Sequence, residues 1–361
     1  MVSVSRRSLL AIGAALPVLG RLDWAVASPP PAPADKVRLN YNESPYGPSA
    51  AAREAMQRGV AISGLYPYGH MYALAGLFAQ QQGIAEEQVA VFAGSMAALR
   101  YAVLAFTSQT RGLVMATPSY EVPRQAADSW KAPVREVSLN AEHAHDVPAM
   151  LAADPQAGML YLCNPNNPTG TLTPTEAIRQ ALANKPKGSV LVVDEAYIDF
   201  SDAPSCVSWV KDHDDLLVLR TFSKLYGMAG ARLGLAIGHP ALLERLAVFG
   251  GDNVPAASTL LGARASLEDV KLLPHRKALN ARLRDETVAW LKARGFACTA
   301  SHSNCFMIDV KQPAQQVIEK LAAHNVLIGR VWKDWPQWVR VTVGNQHEMQ
   351  RFREVFAAQV A

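Results

Sequence analysis

Cysteine is scarce in this sequence, and its spacing excludes the common metal-binding patterns. The four cysteines among 361 residues, Cys163, Cys206, Cys298 and Cys305, form no CxxC pair. A structural zinc site needs closely spaced ligands, so we predict no metal and expect buried thiols. A disulfide between Cys298 and Cys305 stays open as an alternative if the two face each other across a hairpin.

A strong excess of charge is also lacking. The formal net charge is +4, and 18% of the residues are charged. No basic run with interleaved aromatic residues is present, although a nucleic-acid-binding surface would leave such a pattern in the sequence. We therefore predict that the protein has no nucleic-acid partner.

Apolar runs long enough to span a bilayer are missing as well, and the run near the N-terminus is also too short. It follows Arg6 and Arg7 in the segment SRRSLL and runs to Leu19, and residues 25–27 (AVA) then precede a proline-rich stretch. This pattern predicts a twin-arginine export signal over residues 1–27 and a periplasmic protein with no membrane span after signal removal. The alternatives are a cytoplasmic protein with a disordered extension and an uncleaved anchor.

The rest of the sequence alternates short apolar runs with helix-like segments. The runs at 158–163 (GMLYLC), 189–193 (SVLVV) and 215–220 (DLLVLR) alternate with segments such as 174–184. Their length and composition predict a parallel sheet with crossover helices, which is an α/β fold. Ligands bind beyond the carboxyl ends of the strands in such sheets, so the residues after each run are the candidates for chemistry.

The change of pattern along the chain predicts four regions. Beyond about residue 255 a long amphipathic helix is followed by further strands, which suggests a second, smaller domain of the α+β type. The regions are the signal (1–27), a proline-rich segment with an N-terminal arm (28–60), a large domain that contains the predicted sheet (61–255) and a small C-terminal domain (256–361).

One lysine lies in a loop of small and apolar residues directly after a strand. Lys224 belongs to the segment 219–234 (LRTFSKLYGMAGARLG). Desolvation lowers the pKa of a lysine, and the neutral amine can attack an aldehyde. The hydroxyls of Thr221 and Ser223 and the guanidinium of Arg232 are suited to a phosphate dianion. Taken alone, Lys224 would more simply be a surface lysine.

A carboxylate ends the preceding, very apolar strand. Asp194 follows Val192 and Val193 and needs a partner if it is buried. The pyridinium nitrogen of pyridoxal phosphate (PLP) is such a partner, since an ionised carboxylate keeps that ring protonated. Tyr197 and Asn167 are suited to hydrogen-bonding the ring hydroxyl, although a strand-end cap or a turn would also explain them.

A third element is a glycine and a serine at the start of a predicted helix. Gly94 and Ser95 in the segment FAGSMAAL would present free backbone N–H groups at a positive dipole end, which is a phosphate cradle. Tyr120 could stack on the cofactor ring, although a single tyrosine is more often a packing residue.

Together these motifs resemble the fold type I aminotransferases that use PLP, and most closely the histidinol-phosphate aminotransferase branch. The resemblance rests on 166–170 (NNPTG), 194–197 (DEAY) and Ser223-Lys224 with Arg232, in the same order and spacing, and covers the chain from about residue 36. It implies a large domain with a mainly parallel seven-stranded sheet flanked by helices, and a smaller α+β domain. It also implies a homodimer with shared active sites.

The resemblance assigns roles to individual residues. It implies Lys224 as the lysine that binds PLP and moves the proton, Asp194 as the partner of the pyridinium nitrogen, and Tyr197 with Asn167 as partners of the ring hydroxyl. The other implied cofactor contacts are Gly94, Ser95, Met96, Thr221, Ser223 and Arg232 around the phosphate, Tyr120 on the ring, and Tyr66 reaching the phosphate of the neighbouring subunit.

Substrate contacts are also implied. Arg340, in 338–344 (WVRVTVG), would grip an α-carboxylate, with Arg330 as a second arginine near the substrate. Asn42 and Tyr46 lie in a segment that would close over the site.

The sequence departs from the family where specificity is set. Met96 stands where relatives often have an acidic residue, and the short loop between Arg330 and Arg340 holds Trp332, Trp335 and Trp338.

The implied activity is a ping-pong transfer of an amino group between an amino acid, or an amine like it, and a 2-oxo acid. One alternative is a PLP-dependent decarboxylase of the threonine-phosphate decarboxylase type, which shares most cofactor residues. Arg340 favours amino transfer, because a carboxylate held in the ring plane is protected from loss. A PLP-fold binding protein without turnover is the other alternative, but Lys224, Asp194 and Arg232 are all present.

Overall fold

The computed structural model describes residues 36–250 and 253–360. The predicted export signal and the proline-rich stretch lie outside these residues. The strands are β1 (Val37–Leu39), β2 (Val89–Phe92), β3 (Leu113–Thr117), β4 (Val134–Ser138), β5 (Met159–Cys163), β6 (Val190–Asp194), β7 (Leu216–Thr221), β8 (Gly234–Gly238), β9 (Cys305–Asp309), β10 (Val326–Ile328) and β11 (Trp338–Thr342).

In the described part of the chain, eleven α-helices connect these strands. They are α1 (Ala50–Ala61), α2 (Tyr68–Gln82), α3 (Ser95–Phe106), α4 (Val122–Trp130), α5 (Val147–Ala153), α6 (Thr175–Asn184), α7 (Pro240–Ala247), α8 (Ala257–Glu268), α9 (Leu272–Lys292), α10 (Ala314–Ala323) and α11 (Gln346–Gln359). No helix of the described part of the chain is both long enough and apolar enough to cross a membrane.

A seven-stranded sheet forms the larger layer, in the order β2-β8-β7-β6-β5-β3-β4. All neighbouring pairs are parallel except those of β8, which runs antiparallel to both β2 and β7. The three apolar runs recognised in the sequence coincide with β5, β6 and β7. The predicted mainly parallel α/β fold is therefore confirmed.

The central strands are mostly apolar and fully buried because both faces of the sheet are covered. Every residue of β5 is buried. Leu160 and Leu162 belong to one hydrophobic cluster, whereas Met159, Tyr161 and Cys163 belong to the cluster on the opposite face. Side chains alternate between faces along a strand, so β5 joins two cores and is held firmly between them.

The C-terminal part carries its own core around two small sheets. β9 pairs antiparallel with β11, and β1 from the N-terminal arm pairs parallel with β10. The predicted division at residue 255 differs from this packing. Leu260 and Ala263 of α8 lie in the core of the large sheet, and so does Leu272 at the start of α9. Leu283, further along α9, lies in the C-terminal core. The chain therefore passes from one core to the other within α9.

The four cysteines are free thiols. Cys298 lies opposite Ile308 in an isolated bridge, whereas Cys305 pairs with Thr342 on β11. The disulfide left open by the sequence is therefore not formed, because the register separates Cys298 from Cys305.

Candidate active site

A cavity of about 330 Å³ opens at the carboxyl ends of β5, β6 and β7, beside the start of α3. This is the edge of a parallel sheet at which ligands are expected. Most of the residues singled out in the sequence line it: Asn42, Ser95, Met96, Tyr120, Asn167, Asp194, Tyr197, Thr221, Ser223, Lys224, Arg232, Arg330 and Arg340.

Lys224 lies partly buried in this cavity. Its Nζ donates to the backbone oxygen of Asn42 at 3.1 Å and lies 3.4 Å from that of Tyr41, and it sits 5.5 Å from the centre of the Tyr197 ring. Burial, and then the positive charge of Arg340, lower the pKa of Lys224 to about 8. A substantial fraction of the amine is therefore neutral near physiological pH, as attack on an aldehyde requires.

Asp194 ends β6 and is buried. One carboxylate oxygen accepts a hydrogen bond from the Tyr161 hydroxyl at 3.0 Å, and the other accepts one from the Ala196 N–H at 3.1 Å. Burial raises the pKa of Asp194 to about 6, while the bonds from Tyr161 and Ala196 act in the opposite direction. A protonated ring nitrogen would supply the opposite charge that this buried carboxylate lacks.

Tyr161 was not predicted as part of the site. The sequence gives some indication of it, because Tyr161 is a polar side chain among the apolar residues 159–162. It lies opposite Val192 in the strand pairing, on the same side of the sheet as Asp194 two residues later. Finding it required the register of β5 against β6.

Two glycines make room for an anion cradle at the start of α3. Gly94 has φ +96°, in the left-handed region, and a Cβ there would lie 2.4 Å from Nη2 of Arg232. A Cβ on Gly234 would lie 2.1 Å from the backbone nitrogen of Ser95. The hydroxyl of Ser223 accepts a hydrogen bond from Thr221 at 3.0 Å and lies 3.5 Å from Arg232 Nη1. Backbone N–H groups, hydroxyls and a guanidinium thus converge on one place.

Hydrogen bonds tie the far side of the cavity together. The Tyr197 hydroxyl accepts from Asn42 Nδ2 at 3.1 Å, and Asn167 Oδ1 accepts from Arg340 Nη1 at 2.8 Å. Burial raises the pKa of Tyr197 well above its ordinary value and that of Tyr120 to about 12, so both phenols stay protonated and can donate.

The two arginines of the cavity wall have different partners. Arg340 is buried and bonds only neutral oxygens, Asn167 Oδ1 and the Asn40 backbone oxygen at 2.6 Å, and its Nε has no partner among the described residues. Arg330 is more exposed and pairs with Glu121, which the sequence reasoning did not single out. Arg340 therefore keeps free capacity for an anion.

Tyr46 and Tyr66 do not reach the cavity. Tyr66 is 85% exposed and lines a separate cavity with Phe92 and Tyr101. Tyr46 borders a small pocket next to Phe200. The structure therefore does not support the expected substrate contact of Tyr46 within one protomer, and the contact of Tyr66 with a neighbouring subunit stays a prediction. Residues of the wall that were not predicted from the sequence as part of the site are Tyr41, Cys163, Ala196 and Ala229.

The side chains fit PLP group by group. The cofactor carries an aldehyde, a ring nitrogen, a ring hydroxyl and a phosphate. The cavity offers the amine of Lys224, the carboxylate of Asp194, the phenol of Tyr197 and the cradle at Gly94 and Gly234. The cradle carries the clearest fit, because a Cβ on either glycine would fill it.

The sequence is also similar to those of known aminotransferases. The family model "Aminotransferase class I and II" matches residues 34–356. The histidinol-phosphate aminotransferase of Symbiobacterium thermophilum is 33% identical over 331 residues, 90% of each chain. That of Halalkalibacterium halodurans is 30% identical over 318 residues, 86% of each chain.

Solved structures share the fold. The histidinol-phosphate aminotransferase of Sinorhizobium meliloti, solved in complex with PLP, aligns with a TM-score of 0.82 at 23% identity, covering 90% of this chain and 91% of that one. The L-threonine-O-3-phosphate decarboxylase of Porphyromonas gingivalis aligns with a TM-score of 0.74 at 21% identity, covering 89% and 98%. The fold alone therefore does not separate amino transfer from decarboxylation.

Family membership rests on the sequence match, which extends over nearly all of the described residues. The predicted fold type and the resemblance to the histidinol-phosphate aminotransferase branch are both confirmed. The chain belongs to the class I and II aminotransferases and is a pyridoxal-phosphate-dependent transaminase.

Proposed function

We propose that the protein transfers an amino group at this cavity between an amino acid, or an amine like it, and a 2-oxo acid, in the manner of histidinol-phosphate aminotransferases. The observation that carries this proposal is the presence of Lys224 and Asp194 in the wall of one cavity, with pKa values of about 8 and about 6. Groups with perturbed pKa values in a shared cavity are characteristic of proton-transfer sites.

The residues that would hold PLP are those of the cradle and the strand ends. Ser95, Ser223 and Arg232 would bind the phosphate, Asp194 would face the ring nitrogen, and Lys224 would bind the aldehyde carbon. When bound, PLP supplies an electron-withdrawing ring that weakens the bonds of the amino-bearing carbon.

Lys224 would move the proton. Its Nζ is held by the backbone oxygens of Asn42 and Tyr41. Once a substrate amine has replaced it on the cofactor, the lowered pKa would let the freed amine take a proton from the substrate α-carbon and deliver it to the carbon of the cofactor's aldehyde group. Asp194 would keep the ring nitrogen protonated, since its carboxylate is held by Tyr161 and ionises above a pH of about 6.

Arg340 would bind the α-carboxylate of the substrate. Its partners Asn167 and the Asn40 carbonyl fix the guanidinium, while its buried Nε has no partner among the described residues. A carboxylate held by such a guanidinium is retained, and this supports amino transfer over loss of carbon dioxide.

We also propose a homodimer and export through the twin-arginine route. Leu65, Tyr66 and Tyr72 are exposed apolar or aromatic side chains close together in sequence, and a contiguous patch of such groups would mark an association surface. Export rests on the sequence of residues 1–27 alone. Cell fractionation of the wild type and of a variant with both Arg6 and Arg7 changed to Lys tests it, and an unchanged distribution would refute it.

The experiment for the proposed function follows the visible absorbance of the PLP-loaded enzyme during additions of amino donors. Wild type should show the band of lysine-bound cofactor and lose it when a donor from a panel of histidinol phosphate, aromatic amino acids and glutamate is converted. Lys224→Ala should lack the band, and Lys320→Ala, an exposed lysine on α10, should retain it. Release of carbon dioxide would favour the decarboxylase, and absence of the band in wild type would refute the proposal.

A further inference from the structure

The second arginine of the cavity wall already holds a carboxylate of this chain. Arg330 Nη1 lies 2.6 Å from Glu121 Oε2. Glu121 follows the ring-stacking candidate Tyr120 and precedes α4, whereas Arg330 follows β10, 209 residues away. The pair thus joins distant parts of the sequence, with Arg330 in the wall of the active-site cavity and Glu121 in the wall of another pocket.

An aromatic side chain fixes the arginine in this position. The Arg330 guanidinium lies 5.0 Å from the centre of the Trp332 ring, and that of Arg340 lies 5.3 Å from the same ring. Trp332 is buried, so its ring is a fixed support. Both guanidinium groups are therefore held, but within residues 36–250 and 253–360 only that of Arg330 has an acidic partner.

The charges leave room for one substrate anion. Among the residues that the structure describes, Arg340 bonds neutral oxygens only and its Nε has no partner, whereas the charge of Arg330 is balanced by Glu121. A substrate with an α-carboxylate alone needs Arg340 and leaves the pair untouched. A second anionic group near Arg330 would have to displace Glu121 or lie beside its negative charge.

We infer that Glu121 is a specificity-determining residue that occupies Arg330 and favours amino acids with an uncharged side chain over those with a second anionic group. The inference rests on the proposed function for its meaning in turnover. It concerns the preference among substrates, and it leaves the chemistry at Lys224 unaffected.

The test compares L-glutamate with L-glutamine, which have nearly the same shape and differ in one negative charge. Dissociation constants are measured by calorimetry on wild type, Glu121→Gln and the double variant Glu121→Gln/Arg330→Gln, each loaded with PLP and reduced with borohydride so that the bound amino acids cannot react. Exposed ion pairs contribute little, so Glu121→Gln should tighten glutamate binding about three- to fivefold and change glutamine binding less than about twofold. The double variant should lose this gain, because the freed arginine is the source of it.

Glu286→Gln is the matched control, since Glu286 forms a surface ion pair with Arg282 on α9. It should leave the preference at the wild-type value. An unchanged ratio of the two constants in Glu121→Gln, an equal change for both ligands, or no binding of glutamate by that variant would overturn the inference. Absence of turnover with every donor would instead count against the proposed function, because the binding ratio does not depend on turnover.

Discussion

The hydrogen bond from Tyr161 to Asp194 sets the pH at which the site can hold a protonated ring. Tyr161→Phe keeps the ring volume and removes only the hydroxyl that donates to Asp194 at 3.0 Å. Because this bond favours the ionised carboxylate, its loss should raise the pKa of Asp194 further above its value of about 6.

The size of the shift follows from the strength of the bond. A hydrogen bond to a charged group contributes about 1.5–3 kcal/mol. Since one pKa unit corresponds to about 1.4 kcal/mol, the pKa of Asp194 should rise by about one to two units in Tyr161→Phe. Ionisation of Asp194 strengthens cofactor binding, so PLP affinity in the variant should increase with pH over a range about one to two units higher than in wild type.

The assay is the dissociation constant of PLP, measured by tryptophan fluorescence between about pH 5 and pH 9. Tyr226→Phe is the control, since Tyr226 is also buried but forms no hydrogen bond with Asp194. The phosphate of PLP titrates equally in all three proteins, so their difference reports on the protein. Coincident pH profiles of Tyr161→Phe and Tyr226→Phe would refute the reasoning.

Three further predictions test the cradle, the buried carboxylate and the substrate arginine. Gly234→Ala should weaken PLP binding by at least about tenfold, because its Cβ would lie 2.1 Å from the Ser95 nitrogen, whereas Gly230→Ala, with open space around the new Cβ, should not; titration with PLP measures both. The raised pKa of Asp194 makes its contribution to apoprotein stability complete below pH 3.8 and lost as pH rises through about 6. At pH 8 the free energy of unfolding of Asp194→Asn, measured by urea denaturation, should therefore exceed that of wild type by up to about 3 kcal/mol, whereas at pH 4 it should not. The turnover of this variant should fall by about a hundredfold or more. Arg340→Lys should raise KM for amino acids about tenfold in steady-state assays, because an ammonium cannot bind a carboxylate in bidentate fashion.

The residues that the sequence predicted best lie directly after apolar runs. Asp194 and Lys224 follow β6 and β7, and the carboxyl ends of parallel strands meet at one edge of a sheet. Their convergence therefore follows from strand direction alone. Gly94 could also be predicted from the sequence, because its positive φ before the start of α3 favours glycine whatever the tertiary contacts are.

The contacts that the sequence could not predict depend on distant segments. Tyr161 bonds Asp194 through the register of two strands, and Glu121 meets Arg330 across 209 residues. Neither contact leaves a local pattern. The position of the domain division could not be predicted from the sequence either, because the apolar residues of α8 do not indicate which of the two cores they pack against.

The central claim is that Lys224 holds the cofactor, and chemical trapping tests it most directly. Reduction of the PLP-loaded enzyme with borohydride, followed by digestion and peptide mass mapping, fixes the cofactor on the amine that binds it. The account predicts the added mass on the peptide that contains Lys224, and its loss in Lys224→Arg. Modification of a different lysine in wild type, or of none, would contradict it.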